Sequence, residues 1–405
     1  MEKRCSLIVI GGGSCGSFSA FSAAKTGVNV ILFEKQESIG IPASHCAGHL
    51  SLSGLKRLGL LPLPEKIVEN EFKSAVFYSP CGREFSVRFS SPVTCVVDRE
   101  LFDKHVADLA MKAGVEYRLG VRVDSLVLAN GFVKGIVVSR EGDKETLTSN
   151  IVIDAEGVSS NLLKKAGYPT LNRSAVVNAV HAEVDNIVDV ENDAVEVYLG
   201  RKYAPGFYAW IIPRRDGSAK IGLATKIGNP NEYLQKFIRN HPIASKKLKK
   251  SKIVKKSFHP ITLGGAIRRT YHDGLLIVGD AASQVKPTTG GGIIFGLLCS
   301  KIAGGVAAKA VMSNDYSAEF LSQYQSRWKR AIGFELAVMR YLRLMLNRLS
   351  DREVDRLIEL CSKFEMGKIL EEHGDLDFEG KSLIRMIKHP ATLVVSLYFL
   401  LSSVI

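Results

Sequence analysis

"CSLIVIGGGSCGSFSAFSAAKTGVNVILFE" runs from Cys5 to Glu34, and its reading decides the fold. Cys5–Ile10 is an apolar run of strand length. It meets the glycines of GGGSCG, then a small-residue helix ended by Gly27, then a second apolar run over Val28–Phe33. That order is strand, helix, strand. The spacing Gly11-x-Gly13-x-x-Gly16 follows the first strand directly, and Glu34 ends the second. Gly11 permits a tight turn, Gly13 lets backbone approach a pyrophosphate, and Gly16 allows close helix–strand packing. The free N–H groups at the helix start face the phosphates, and the Glu34 carboxylate can take ribose hydroxyls. The unit reads as dinucleotide-binding.

A second element, far along the chain, says which dinucleotide. "GLLIVGDAASQVKPTTGGGIIFGLLCS" (Gly274–Ser300) is a strand, then Gly279-Asp280, then a proline- and glycine-rich loop, then a helix. An acidic residue at a strand end can bind the ribityl chain of a flavin, and Asp280 can also cap a helix. The amides of Gly290–Gly292 can face flavin ring oxygens or a pyrophosphate. A nicotinamide enzyme has little use for this element, so the expected cofactor is FAD. Two further segments agree. "VVDRELFDKHVADLAMKAG" (Val96–Gly114) is an amphipathic helix entered through Asp98-Arg99, with Arg99 either neutralising a phosphate or on the surface. "IVIDAEGVSSNLLKKAG" (Ile151–Gly167) is a strand that turns through Asp154, Gly157 and Ser159 into a helix.

The bulk composition sets bounds. At 405 residues, two domains, or one with a large insertion, are expected. Apolar content of 46% and charged content of 23% suit a folded chain. A formal charge of +13 favours anionic partners. "KKLKKSKIVKK" (Lys246–Lys256) is either a solvated segment or a contact with anionic headgroups; lacking interleaved aromatics, it does not suit nucleic acid. The seven cysteines show no CxxC or zinc-like spacing, so no metal is expected. The start "CSLIVIGGG" is too short for a signal peptide, and a reducing, intracellular setting is expected. "ATLVVSLYFLLSSVI" (Ala391–Ile405) carries no charge over its length, too short for a spanning helix. It is either a buried terminal helix or a shallow interfacial anchor.

Residues 166–265 alternate in short segments such as "AVEVYLG" and "GFYAWIIP", which suits an antiparallel sheet. The expected organisation is a discontinuous dinucleotide-binding domain over 1–165 and 266–325, an inserted antiparallel substrate domain over 166–265, and a helical region over 326–405.

The ordered set of GxGxxG with Glu34, Asp98-Arg99, DAEG and GDAA…P…GGG resembles flavoproteins of the glutathione-reductase type, in the p-hydroxybenzoate hydroxylase group. The fold implied is α/β: an FAD-binding Rossmann fold with an inserted antiparallel-sheet domain and a C-terminal helical region. "GIPASHCAG" is similar to the P-x-x-C-x-G segment of geranylgeranyl reductases. "YAWIIP" (Tyr208–Pro213) is similar to their Y-x-W-x-F-P segment, with Ile212 in place of Phe, and the GGG after Pro287 matches their flavin loop. The archaeal branch, which saturates isoprenoid chains of membrane lipids, is the nearest likeness. The family implies FAD, an external reductant such as ferredoxin or visiting NADPH, and a peripheral position at the inner membrane surface. It implies cofactor contacts from Gly11, Gly13, Cys15, Gly16, Glu34, Lys35, Cys46, Ala47, Gly48, Arg99, Val123, Gly279, Asp280, Gly291, Gly292 and Ile293.

By the same resemblance the backbone of Cys46–Gly48 lies against the flavin and the Cys46 thiol faces the alkene. Reducing an isolated C=C takes a hydride on one carbon and a proton on the other; Cys46 either donates that proton or shapes the pocket. His45 is a rival donor. Tyr208 and Trp210 share one face of a strand and form either a wall for a hydrocarbon chain or a core layer. Cys15 is read as a backbone contact rather than a redox thiol. The expected substrates are geranylgeranyl chains of isoprenoid lipids or geranylgeranyl diphosphate. A flavin monooxygenase or halogenase on the same fold is the alternative; halogenases carry W-x-W-x-I-P where this chain begins with Tyr208.

Overall fold

The computed structural model describes residues 5–40, 46–375 and 377–404, which divide into two compact units. The first contains residues 5–40, 99–175 and 262–336; the second contains 46–98, 176–261 and 337 onward.

In the first unit Cys5–Ile10, all but Ser6 of it buried, forms the centre of a sheet that helices cover. An unbroken apolar run is what a parallel strand covered on both sides requires. Its neighbours are Val30–Phe33 on one side and Asp143–Asp154 on the other, both parallel to it. Glu116–Arg118 and Leu275–Ile277 extend the parallel sheet, and Tyr271–His272 closes one edge in the antiparallel sense. The long strand Asp143–Asp154 also ends an antiparallel meander with Phe132–Arg140 and Arg122–Ala129. Helix Ile293–Ser313 packs on helix Ser14–Ala24 so closely that a Cβ on Gly304 would stand 2.3 Å from the Ser19 carbonyl oxygen.

The second unit is built on a seven-stranded sheet in the order Lys252–Thr262, Val176–Asp185, Ala219–Thr225, Ala209–Pro213, Ala194–Tyr198, Ser74–Tyr78 and Glu84–Arg88. Its pairings are antiparallel except where Ala194–Tyr198 runs parallel to Ser74–Tyr78. That pairing draws the early segment 46–98 into this unit. Tyr198, Tyr203, Ile211, Leu234 and Phe237 fill the core beneath helix Pro230–Asn240. A small sheet of His49–Ser51, Thr94–Val97 and Val68–Phe72 belongs to the same unit. The C-terminal helices, from Asp351–Lys363 to Pro390–Val404, pack around Phe85 and Val87 of the edge strand.

The lysine-rich segment is divided. Lys246, Lys249, Lys250, Lys252, Lys255 and Lys256 are exposed, the last three of them along an edge strand, where lysines oppose edge-to-edge pairing. Lys247 is buried and ion-paired with Glu196.

Candidate active site

The first strand ends in a turn that the sequence explains atom by atom. Gly11 has φ +97°, and a Cβ there would lie 2.4 Å from the Ala155 carbonyl oxygen. A Cβ on Gly16 would be 1.8 Å from the Gly11 carbonyl oxygen, so only glycine lets the helix start here. Around Gly13, by contrast, no atom lies within 4 Å of an added Cβ. The turn is pinched at its outer glycines and open at the middle one, the shape needed for an approaching pyrophosphate.

Glu34 is held for its task by backbone. Its Oε2 accepts from the Gly12 N–H at 2.7 Å and its Oε1 from the Gln36 N–H at 2.9 Å. An ionised carboxylate has about four acceptor sites, so two remain for ribose hydroxyls. Lys35, the next residue, is exposed. Val123 sits on the meander strand opposite Val138 and is half-buried.

The distant element meets this turn through Cys15. A Cβ on Gly279 would lie 3.0 Å from the Cys15 sulfur, and one on Gly296 2.5 Å from it, so both glycines make room for the thiol. Burial first, and then the nearby Asp280 carboxylate, push that thiol up to about 12. It is a neutral packing group at physiological pH. An Asp280 Oδ1 stands 3.0 Å from where a Gly292 Cβ would be, which places the carboxylate at the start of helix Ile293–Ser313. Gly290 takes φ +70°, its N–H donating to the Lys286 carbonyl at 2.8 Å, and the Gly291 N–H donates to Thr289 Oγ1 at 3.3 Å. Gly11, Gly13, Cys15, Gly16, Glu34, Gly279, Asp280, Gly291, Gly292 and Ile293 thus belong to one unit.

Arg99 opens helix Arg99–Lys112 and donates to both Asp103 oxygens at 3.1 Å, a pair that is largely buried. This pairing orients the guanidinium along its own helix.

Several groups that support these turns, Gln284, Tyr324 and Glu156 among them, were not singled out from sequence. Gln284 accepts from the Gly279 N–H at 3.0 Å and donates to the Tyr324 hydroxyl, which donates to the Ile277 carbonyl. This chain of bonds fixes the Gly279-Asp280 turn. In the DAEG turn, Asp154 is fully buried, its Oδ1 accepting from the Glu156 N–H at 2.9 Å and its Oδ2 without a hydrogen-bond partner among the described residues. Burial, followed by the neighbouring Glu156, raises its pKa well above the usual carboxylate range. Glu156 accepts from the N–H groups of Asn161, Leu162 and Leu163 and so caps the next helix.

The second unit carries the other expected residues. Cys46 is half-buried, and its sulfur accepts from the Gly48 N–H at 3.4 Å. Gly48 has φ +73°, and its carbonyl accepts from the Val97 N–H at 2.9 Å. Cys46, Ala47 and Gly48 are therefore fastened to the small sheet through the adjoining strand His49–Ser51. His45 lies outside the described residues.

Tyr208 and Trp210 share a face as strand alternation requires, their rings edge to face with centroids 6.0 Å apart. Phe207 stacks on Tyr208 at 4.2 Å. The buried Trp210 indole rests on Gly222, where a Cβ would lie 2.4 Å from Cζ2, and its N–H has no hydrogen-bond partner among the described residues. Arg343, 5% exposed, lies over the Phe207 ring with its guanidinium carbon 4.7 Å from the centroid. Burial pulls its pKa down to about 10, against the favourable fields of Tyr208 and Glu379, so it stays charged at neutral pH. The signal for Arg343 was present: it occupies the Leu336, Met339, Arg343 face of its helix, otherwise apolar and buried.

A pinched turn with an open centre, a ribose acceptor and a second glycine-rich element around one parallel sheet define an FAD-binding flavoprotein, and the residues present fit that cofactor. The comparisons agree. The family described as an FAD binding domain matches residues 4–301. Digeranylgeranylglycerophospholipid reductase of Methanocaldococcus jannaschii is 34% identical over 357 residues, 87% of this chain and 89% of that protein. Digeranylgeranylglycerophospholipid reductase 2 of Methanothermobacter thermautotrophicus is 35% identical, covering 91% of this chain and 97% of its own. A geranylgeranyl bacteriochlorophyll reductase-like protein of Thermoplasma acidophilum superposes with a TM-score of 0.86 at 28% identity, covering 98% of this chain and 99% of that one. The flavin-dependent brominase Bmp2, at 17% identity and a TM-score of 0.73, shares the fold alone. The chain belongs to the geranylgeranyl reductase family of flavoproteins, in the branch of the archaeal digeranylgeranylglycerophospholipid reductases. It is an FAD-dependent oxidoreductase.

Proposed function

We propose that this enzyme saturates the C=C bonds of geranylgeranyl chains carried on isoprenoid membrane lipids or on geranylgeranyl diphosphate. What supports the reading is the joint presence, in one chain, of the glycine turn, Glu34 and the Gly279-Asp280 element in one unit and of the "GIPASHCAG" and "YAWIIP" segments that are similar to the family's own. Reduced FAD, when bound, supplies the hydride.

The residues of the chain do the rest. Gly11, Gly13 and Gly16 bring backbone N–H groups to the pyrophosphate, Glu34 takes ribose hydroxyls, and Asp280 takes hydroxyls of the ribityl chain. Arg99, oriented by Asp103, adds positive charge for a phosphate. Tyr208 and Trp210 supply an apolar wall that orients a polyprenyl chain, with Phe207 stacked on Tyr208 and Arg343 holding that pair. The Cys46 thiol delivers the proton to the second alkene carbon or shapes the pocket around it, with His45 as the rival proton source. Electrons arrive from a ferredoxin-type or NADPH donor, and the enzyme works in the cytoplasm, bound peripherally to a membrane. The W-x-W-x-I-P segment of halogenases is not matched at Tyr208, which favours the reductase over the halogenase reading.

The test is anaerobic. Reduced, FAD-loaded protein is mixed with a geranylgeranyl diether phospholipid or with geranylgeranyl diphosphate. The expected result is reoxidation of the flavin with a gain of two hydrogens per double bond by mass spectrometry. Oxygen-dependent hydroxylation or halogenation of an aromatic, with the isoprenoid recovered unchanged, would overturn the proposal.

A further inference from the structure

The last helix is apolar on every side, yet the protein covers only one of them. Pro390–Val404 has no charged residue. Thr392 and Val395 point inward, and Val395, with Ala391, Tyr398 and Phe399, joins the cluster around Val354 and Ile358. The opposite stripe is Leu393, Val394, Leu397, Leu400 and Leu401, each between 45% and 58% exposed. Positions i, i+1, i+4, i+7 and i+8 form one continuous face. An aliphatic face of this extent is not left to water without a purpose.

The helix before it continues the surface. Glu379–Met386 meets the terminal helix at a bend of 118°, and Ile384 and Ile387 are 57% and 46% exposed beside the exposed Lys381, Arg385 and Lys388. From Lys381 to Ile405 there is no acidic residue. Arg348, in the turn before helix Asp351–Lys363, donates to the Ser403 carbonyl at 3.3 Å, which ties down the far end of the terminal helix. This helix does not cross a bilayer: 15 residues rise about 22 Å against a hydrocarbon core of about 30 Å, and one side is committed to protein packing.

We infer that the Glu379–Met386 and Pro390–Val404 helices form an interfacial docking elbow for an anionic lipid bilayer. The leucine stripe lies in the acyl boundary, parallel to the membrane plane, and Lys381, Arg385 and Lys388 engage the headgroups. Charge selects this occupant: an uncharged aliphatic stripe bordered by cations and free of acids matches an anionic membrane. The inference deepens the proposed lipid-linked function and rests on it for its purpose, yet its test requires no turnover.

The test is flotation of the FAD-loaded, full-length protein with vesicles of phosphatidylcholine alone or mixed with phosphatidylglycerol. Wild type should float with the mixed vesicles, with binding weakened by salt. L397E/L401E, both at exposed positions, should retain FAD and melting temperature and lose at least about tenfold in bound fraction. K381E/R385E/K388E should lose about fivefold per residue removed on the mixed vesicles only. K249E/K250E, which lowers net charge elsewhere, should float as wild type does. Wild type remaining in solution, or either elbow variant floating normally, overturns the inference. So does a concentration-dependent dimer that L397E/L401E dissociates in light scattering, which would assign the face to a second copy. Vesicle binding can fail while dissolved geranylgeranyl diphosphate is still reduced, so a failure here is distinguishable from a failure of the proposed reaction.

Discussion

Gly13 and Gly16 are three residues apart and serve opposite constraints. Gly16 is required by the chain itself, since its Cβ would enter the Gly11 carbonyl. Gly16→Ala should cost about 3 kcal/mol or more in denaturant unfolding of the apoprotein. Gly13 has φ −66° and open space around it, so Gly13→Ala should leave apoprotein stability unchanged. Its methyl group would occupy the volume read as the pyrophosphate's, and FAD affinity by fluorescence titration should fall at least about tenfold. An unchanged affinity would move the cofactor away from this turn. Cys46 calls for a kinetic experiment. Cys46→Ala should bind FAD normally and, if the thiol carries the proton, slow alkene-dependent flavin reoxidation by about 100-fold. A slowing of less than about threefold would leave the residue a packing role.

At the scale of elements, the junction after helix Pro230–Asn240 depends on a neutral imidazole. His241 Nδ1 accepts from the N–H groups of Ile243 and Ala244, at 3.2 and 3.3 Å, so Nε2 carries the proton and donates to the Ser79 carbonyl at 3.2 Å. Burial, the larger cause, pulls the group down to about 4 although the Ser79 bond opposes it. Because the folded value lies below the unfolded one, the associated stability is complete above about pH 6.5. It is lost as the pH falls through the folded value, by up to about 3 kcal/mol at pH 4. Chemical denaturation from pH 8 to pH 4 should show this loss, and His241→Gln should flatten the slope; an equally steep variant would place the titration elsewhere. His272, in the first unit, is shifted in the same direction to about 4, chiefly by burial, and adds to the acid side of the profile. The elements also explain Arg343. The Leu336 and Met339 face of its helix carries one guanidinium because the Phe207 ring receives it as a cation–π partner.

For the molecule as a whole, the cofactor is a folding ligand as well as a reagent. The fingerprint turn and the Gly279-Asp280 turn come from distant parts of the chain and meet in one unit, so a ligand held by both stabilises the folded state alone. FAD at about a thousand times its dissociation constant should add about 4 kcal/mol and raise the melting temperature by several degrees. No shift on adding FAD to apoprotein would contradict the shared cradle. Much of that cradle was legible in the residues because its rules are local. A glycine spacing, a positive φ and an acidic strand end are specified by the few residues that carry them, as at Gly11, Gly16 and Glu34. The likeness of "GIPASHCAG" and "YAWIIP" to family segments is equally local. Three features were decided only in three dimensions. Residues 46–98 join the second unit because Ser74–Tyr78 finds its partner strand more than a hundred positions away, and strand partners are chosen by packing that no local window contains. Lys247 is buried inside a run of solvated lysines because Glu196 waits on a neighbouring strand. The terminal helix, readable from its letters as either core or anchor, packs one face and bares the other, because burial is a property of neighbours and not of composition.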